Sequence, residues 1–161
     1  MWNDRLTDRN HYPRITSAVW TQDGQALTFA SQICRVKSPS CFWEFRELVT
    51  VGSGLRAGPV LLRRSGMNSP IRSPAISPDG RSVIEVRSGT GPGTGTSLVR
   101  ISLATGLQTV LHHWRAPGPF QVGPNEGNFL VVAQHLHGGN WRLAGWVSDA
   151  GFHSLDHRPA S

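Results

Sequence analysis

One turn recurs along the chain. Residues 73 to 80 read Ser73-Pro74-Ala75-Ile76-Ser77-Pro78-Asp79-Gly80, and the alternating segment Ser82-Val83-Ile84-Glu85-Val86-Arg87 follows. Residues 17 to 24 read Ser17-Ala18-Val19-Trp20-Thr21-Gln22-Asp23-Gly24, followed by Ala26-Leu27-Thr28-Phe29-Ala30-Ser31. A degraded third copy is Phe120-Gln121-Val122-Gly123-Pro124-Asn125-Glu126-Gly127, then Asn128-Phe129-Leu130-Val131-Val132. The glycines Gly24, Gly80 and Gly127 stand 56 and 47 residues apart. Proline at the second turn position fixes φ, Asp or Asn bonds its own backbone, and Gly takes the left-handed conformation. A short apolar run on each side then reads as an antiparallel hairpin. Recurrence at this interval suits a unit of four short strands, with a longer insertion expected in the first copy.

The remaining strands are plainest in the second copy. Ser97 to Leu103 alternates at period two, Ala104-Thr105-Gly106 turns, and Leu107 to Leu111 alternates again. The third copy predicts strands at Trp141 to Val147 and Phe152 to Leu155, joined at Ser148-Asp149-Ala150-Gly151. The first predicts Phe42 to Val49 and Pro59 to Leu62. With 18 Gly and 11 Pro among 161 residues, and no convincing helical period, an all-β chain is expected. The residues expected to matter structurally are Asp23, Gly24, Pro78, Asp79, Gly80, Thr105 and Gly106, which shape turns and carry no chemistry.

The span from Ser73 through Gly80, Leu98 to Gly106 and Val110-Leu111 resembles one complete blade of the TolB-like, WD40-like (PD40-type) β-propeller repeats. That family places a Ser-Pro-Asp-Gly turn after an apolar strand and a Thr-Gly turn before the outer strand. The first copy keeps Trp20 and Asp23-Gly24 but has Gln22 for the proline; the third keeps Pro124 and Gly127. The resemblance is closest to propeller-like proteins of actinobacteria, which are often membrane-anchored or extracytoplasmic. It implies three four-stranded antiparallel blades at about 15–64, 70–113 and 119–157, with residues 1–13 an N-terminal arm or a strand of a neighbouring blade. Three blades do not close a ring, because closed propellers typically have four to eight. The chain is therefore expected to be part of a longer propeller, or to complete a ring as a homodimer.

Charge and cysteines leave the function open. The balance is 16 basic against 10 acidic residues, and Lys37 is the only lysine. The arginines are scattered without a basic stripe, so nucleic acid is not favoured as a partner. No apolar run is long enough for a transmembrane helix, and Met1-Trp2-Asn3-Asp4-Arg5 lacks the pattern of a signal peptide. Cys34 and Cys41 admit either a loop disulfide or two free thiols.

Little in the chain points to catalysis. No nucleophile elbow of the Gly-x-Ser-x-Gly type occurs, and Ser53 sits in Val51-Gly52-Ser53-Gly54, a turn-rich segment. His135 and His137, one residue apart, would share a strand face as metal ligands, with His112, His113 or His153 as a third. An exposed hairpin tip is the simpler reading of that pair. The run Gly89 to Thr96 reads either as an anion nest or as a flexible hairpin loop. Trp43, beside Phe42 and Phe45, is the candidate for a partly exposed partner contact. These features predict a noncatalytic scaffold for a protein or peptide partner, without cofactor. The alternatives are the gating propeller of a prolyl-oligopeptidase-like serine peptidase and a small-ligand or metal-binding propeller.

Overall fold

The structure is a computed structural model describing residues 11–35, 41–65, 74–88, 95–115, 120–125, 128–136 and 138–155. The described residues form three separate four-stranded antiparallel sheets, with no helix and no closed sheet. This is the all-β, blade-by-blade architecture that the recurring turns require. The first sheet runs β1 (His11–Trp20), β2 (Ala26–Arg35), β3 (Cys41–Val51) and β4 (Gly54–Ser65). The second comprises β5 (Ala75–Ile76), β6 (Ser82–Ser88), β7 (Thr96–Ser102) and β8 (Gln108–Trp114), and the third β9 (Phe120–Asn125), β10 (Leu130–His135), β11 (Trp141–Ser148) and β12 (Gly151–Ser154). Each strand pairs with its neighbour in sequence. The chain divides into two compact units, Met1–Ile71 with the first sheet and Arg72–Ser161 with the other two.

In the first unit the extra length lies in the strands. β1 to β4, in the copy where a longer insertion was expected, have 10, 10, 11 and 12 residues, against seven or fewer in the second sheet. Val51-Gly52-Ser53-Gly54 is a tight hairpin turn, with Val51 opposite Gly54. Of residues 1–13, expected as an N-terminal arm or a strand of a neighbouring blade, His11 to Pro13 belong to β1, where Pro13 pairs with Ile33, and residues 1–10 lie outside the described chain. The long β2 supplies ladder partners for this extension. Cys34 and Cys41 are opposite one another, with Cα atoms 4.1 Å apart, and are joined by a disulfide. Trp43 is 3% exposed. It belongs to the buried stretch Trp43-Glu44-Phe45 of β3, so the expected partly exposed contact there is corrected to a packing position.

In the second unit, Ile84 and Leu98 of the second sheet meet Phe120, Val122, Leu130, Val132 and Val147 of the third in one apolar cluster. Trp114 stacks on Phe120 at 4.0 Å between ring centroids and meets Phe152 edge-on at 5.5 Å, which closes the cluster at the β8 end. Aromatic pairs in these offset and edge geometries add about 0.5–1.5 kcal/mol beyond their buried area. Arg100 of β7 donates to the carbonyls of Ser148 (2.7 Å) and Asp149 (3.2 Å), tying the second sheet to the β11–β12 turn.

Candidate functional site

The Asp-Gly turns expected from the sequence share one hydrogen-bond pattern. At Ser77 to Ser82, Ser77 N donates to Ser82 O (2.9 Å), Gly80 N to Ser77 O (2.9 Å), Arg81 N to Asp79 Oδ1 (2.9 Å) and Ser82 N to Ser77 Oγ (2.9 Å). At Thr21 to Ala26 the same four bonds run from Thr21 N (2.9 Å), Gly24 N (2.8 Å), Gln25 N (3.1 Å) and Ala26 N (3.1 Å). In each turn the hydroxyl also reaches the turn aspartate, as Ser77 to Asp79 and Thr21 to Asp23. Gly80 and Gly24 hold φ of +73° and +67°, the left-handed region that costs other residues about 1–2 kcal/mol. Pro78 sits where φ near −65° starts the turn. Thr105 and Gly106 serve the β7–β8 turn: Thr105 Oγ1 accepts from Leu107 N (3.2 Å), and Gly106 N donates to Ser102 O (2.8 Å). Sequence reasoning missed Thr21 and Ser77, the hydroxyl residues that hold each turn shut. Their signal was a Ser or Thr two residues before the aspartate in both copies.

Charged and titratable groups gather at two places. In the first sheet, Glu44 is 1% exposed and is bound by Arg46 and, at 2.6 Å, by Arg63. Burial pushes its carboxyl up, but the hydrogen bonds and charges of Arg63 and Arg46 outweigh that and hold it below the ordinary glutamate value. In the second sheet, the buried Glu85 is paired with Arg87, and Arg87 Nη1 donates to Gln108 Oε1 (2.8 Å). Beside them Ser97 Oγ lies 3.0 Å from His113 Nδ1. A second Ser–His contact, Ser148 Oγ to His153 Nε2 at 3.0 Å, lies in the β11–β12 hairpin. Ser–His catalysis needs a group orienting the second ring nitrogen, and neither pair has a carboxylate bonded to it among the described residues.

The metal candidates are not brought together. His135 ends β10 and sets its ring 4.8 Å from that of Trp141, while His137 lies outside the described residues. His112 packs against Trp114 and Phe152, each at 4.7 Å, and His153 stacks on Trp146. Among the described residues no three His, Cys, Asp or Glu side chains converge on a point where a metal would sit. Of the glycine-rich run, Gly89 to Thr94 lies outside the described residues.

The described residues include no helix long and apolar enough to cross a membrane. Exposed apolar side chains concentrate on outer strands and turns. Trp141 and Leu143, two residues apart on β11, are each 51% exposed.

No protein-family model matches the chain, and no curated protein sequence does. Two solved structures are similar in part: a candidate 6-phosphogluconolactonase from Bacteroides uniformis, 12% identical over 81% of this chain and 53% of its own (TM-score 0.26), and one from Bacteroides fragilis, 11% identical over 85% and 55% (TM-score 0.26). The chain thus spans about half the length of either.

Proposed function

We propose that the chain is a noncatalytic recognition module of the TolB-like propeller-repeat kind, whose β11 surface engages a protein partner. The observation that carries this reading is the pair Trp141 and Leu143, each half exposed on one face of a strand otherwise anchored in the third sheet. Tryptophan at the centre of an interface is among the side chains whose burial contributes most to binding. Carrying it on a paired strand also lowers the ordering cost of association. The polar groups around the turns are committed to backbone hydrogen bonds, which supports a scaffold over an enzyme.

The test compares proteins retained by the immobilised full chain with those retained by a Trp141→Ser, Leu143→Ser double variant, both checked by circular dichroism. A protein held stoichiometrically by the parent and lost from the variant is expected. If both chains retain the same proteins, this surface is not the recognition site.

A further inference from the structure

The two faces of the third sheet differ. One, with Phe120, Val122, Leu130, Val132 and Val147, is covered by the second sheet. Pairing and alternation put Gln121, Val131, Ala133, Trp141, Leu143 and Trp146 on the other. The rings of His135 and His153 join them, 4.8 and 5.1 Å from those of Trp141 and Trp146. The register shift after Val132 steps over Ala144, which packs toward the covered side, and so leaves Trp141 and Leu143 outward, each 51% exposed. Among the described residues this outer face carries no Asp, Glu, Lys or Arg. Arg142 belongs to the opposite side, where it donates to Gln134 (2.7 Å). Other sheet faces are charged, by Glu44 and Arg63 in the first sheet and by Glu85 and Arg87 in the second.

Taking the β11 surface as a recognition surface, on which this inference rests, we propose that its partner is a second copy of this chain. The two third sheets pack face to face about a twofold axis. Charge argues for this occupant. The chain carries a net charge of +6, so two copies repel where basic faces meet, and like charges juxtaposed across an interface are strongly disfavoured. An uncharged face is where two such chains meet without that cost. Twofold contact also requires a patch that fits itself. On the two central strands Leu143 stands directly opposite Ala133, a tall side chain beside a short one, so the ridge of each copy lies in the dip of the other. Trp141 and Trp146 flank that centre and supply large apolar area, as tryptophan does at interface centres. Sheet-on-sheet packing of this kind repeats what the opposite face of the same sheet already does with the second sheet.

The test is sedimentation velocity on the full chain from about 1 μM to about 500 μM, the range in which interfaces of modest area associate. The parent should pass from one chain to two and no further, because a twofold contact uses up the patch. Leu143→Arg, which sets like charges against each other at a half-exposed position, should weaken the dimer on the order of a hundredfold. Leu143→Glu should do the same alone. An equimolar mixture of the two variants should restore the two-chain species, which separates a lost contact from a lost fold. Val110→Arg, at an exposed position of the second sheet, should leave the dimer unchanged. The proposal is overturned if the parent stays a single chain or grows beyond two, if the mixture stays single, or if Val110→Arg weakens the dimer as much as Leu143→Arg. A single-chain parent that, when immobilised, still retains another protein through Trp141 and Leu143 removes the second copy and keeps the recognition surface. A single-chain parent that retains none removes both.

Discussion

Replacing Ser77 by alanine should cost the second unit about 2 kcal/mol. Ser77 is 1% exposed, and its hydroxyl does two things. It accepts from Ser82 N at 2.9 Å and gives its proton to the Asp79 carboxylate, with the Ser82 carbonyl 3.1 Å away as a second acceptor. Alanine leaves the part-buried Ser82 N–H without that acceptor, and an unmet donor shielded from water costs about 1–3 kcal/mol. Asp79 loses one partner but keeps Arg81 N at 2.9 Å. The two backbone bonds of the turn remain, so the hairpin is weakened and not abolished. For a unit of this size each kcal/mol lowers the melting temperature by about 4–8 °C, so a fall of roughly 10 °C is expected. Thermal melts followed by tryptophan fluorescence measure it, because Trp114 packs in the same unit. Ser77→Thr should recover most of the loss, since Thr21 makes the same bonds in the first sheet. A double-mutant cycle with Asp79→Ala should show coupling of about 1 kcal/mol. A Ser77→Ala melt within about 2 °C of the parent would refute the assignment of the hydroxyl as the clasp of the turn.

Three further outcomes follow from the geometry. Gly24→Ala should cost about 1 kcal/mol from the positive φ alone, because a Cβ there meets nothing within 4 Å; Gly24→Asn should cost less, and equal melts for all three chains would contradict the strain. Gly145→Ala should loosen β12 from β11, because its Cβ would fall 2.2 Å from the His153 carbonyl oxygen, and hydrogen exchange at Phe152 and His153 should rise. Glu44→Gln should destabilise the first unit by about 1–2 kcal/mol at neutral pH, less than for a fully buried pair because Arg63 is 61% exposed. Since the folded carboxyl titrates below its unfolded value, this difference is full above the ordinary glutamate value. It should shrink as pH falls through the lowered folded value, which denaturant melts of both chains against pH would measure; a constant difference would contradict the pairing.

How far the fold could be read in advance varied with the range of the interaction. Turns are local, so Asp79-Gly80 and Thr105-Gly106 mark hairpins from their own residues, and β6, β7 and β11 fall within a residue of their expected limits. Long strands defeat the same reading: β4 contains Gly54, Gly58 and Pro59, which suggest loop, yet β3 pairs with β4 on both sides of Gly58 and Pro59, which the register shifts step over. The burial of Trp43 depends on partners far along the chain, which neighbouring Phe42 and Phe45 do not reveal. The Ser97–His113 contact was hidden for a sharper reason. Counting outward from the β7–β8 turn puts His112 opposite Ser97, but the register shift between Leu98 and Val99 brings His113 there. One bulged residue decides which histidine faces which side of the sheet.

The bond between Cys34 and Cys41 has a consequence beyond the folded sheet. It joins residues directly opposed in the β2–β3 ladder, only seven apart in sequence. Closing so short a ring removes about 2.5 kcal/mol of chain entropy from the unfolded ensemble. The larger effect is one of memory. A slip by one residue would carry Trp43 and Phe45 to the wrong side, and while the link is intact β2 and β3 keep their alignment even when every hydrogen bond between them is broken. A reducing compartment would erase that record without touching a single apolar contact.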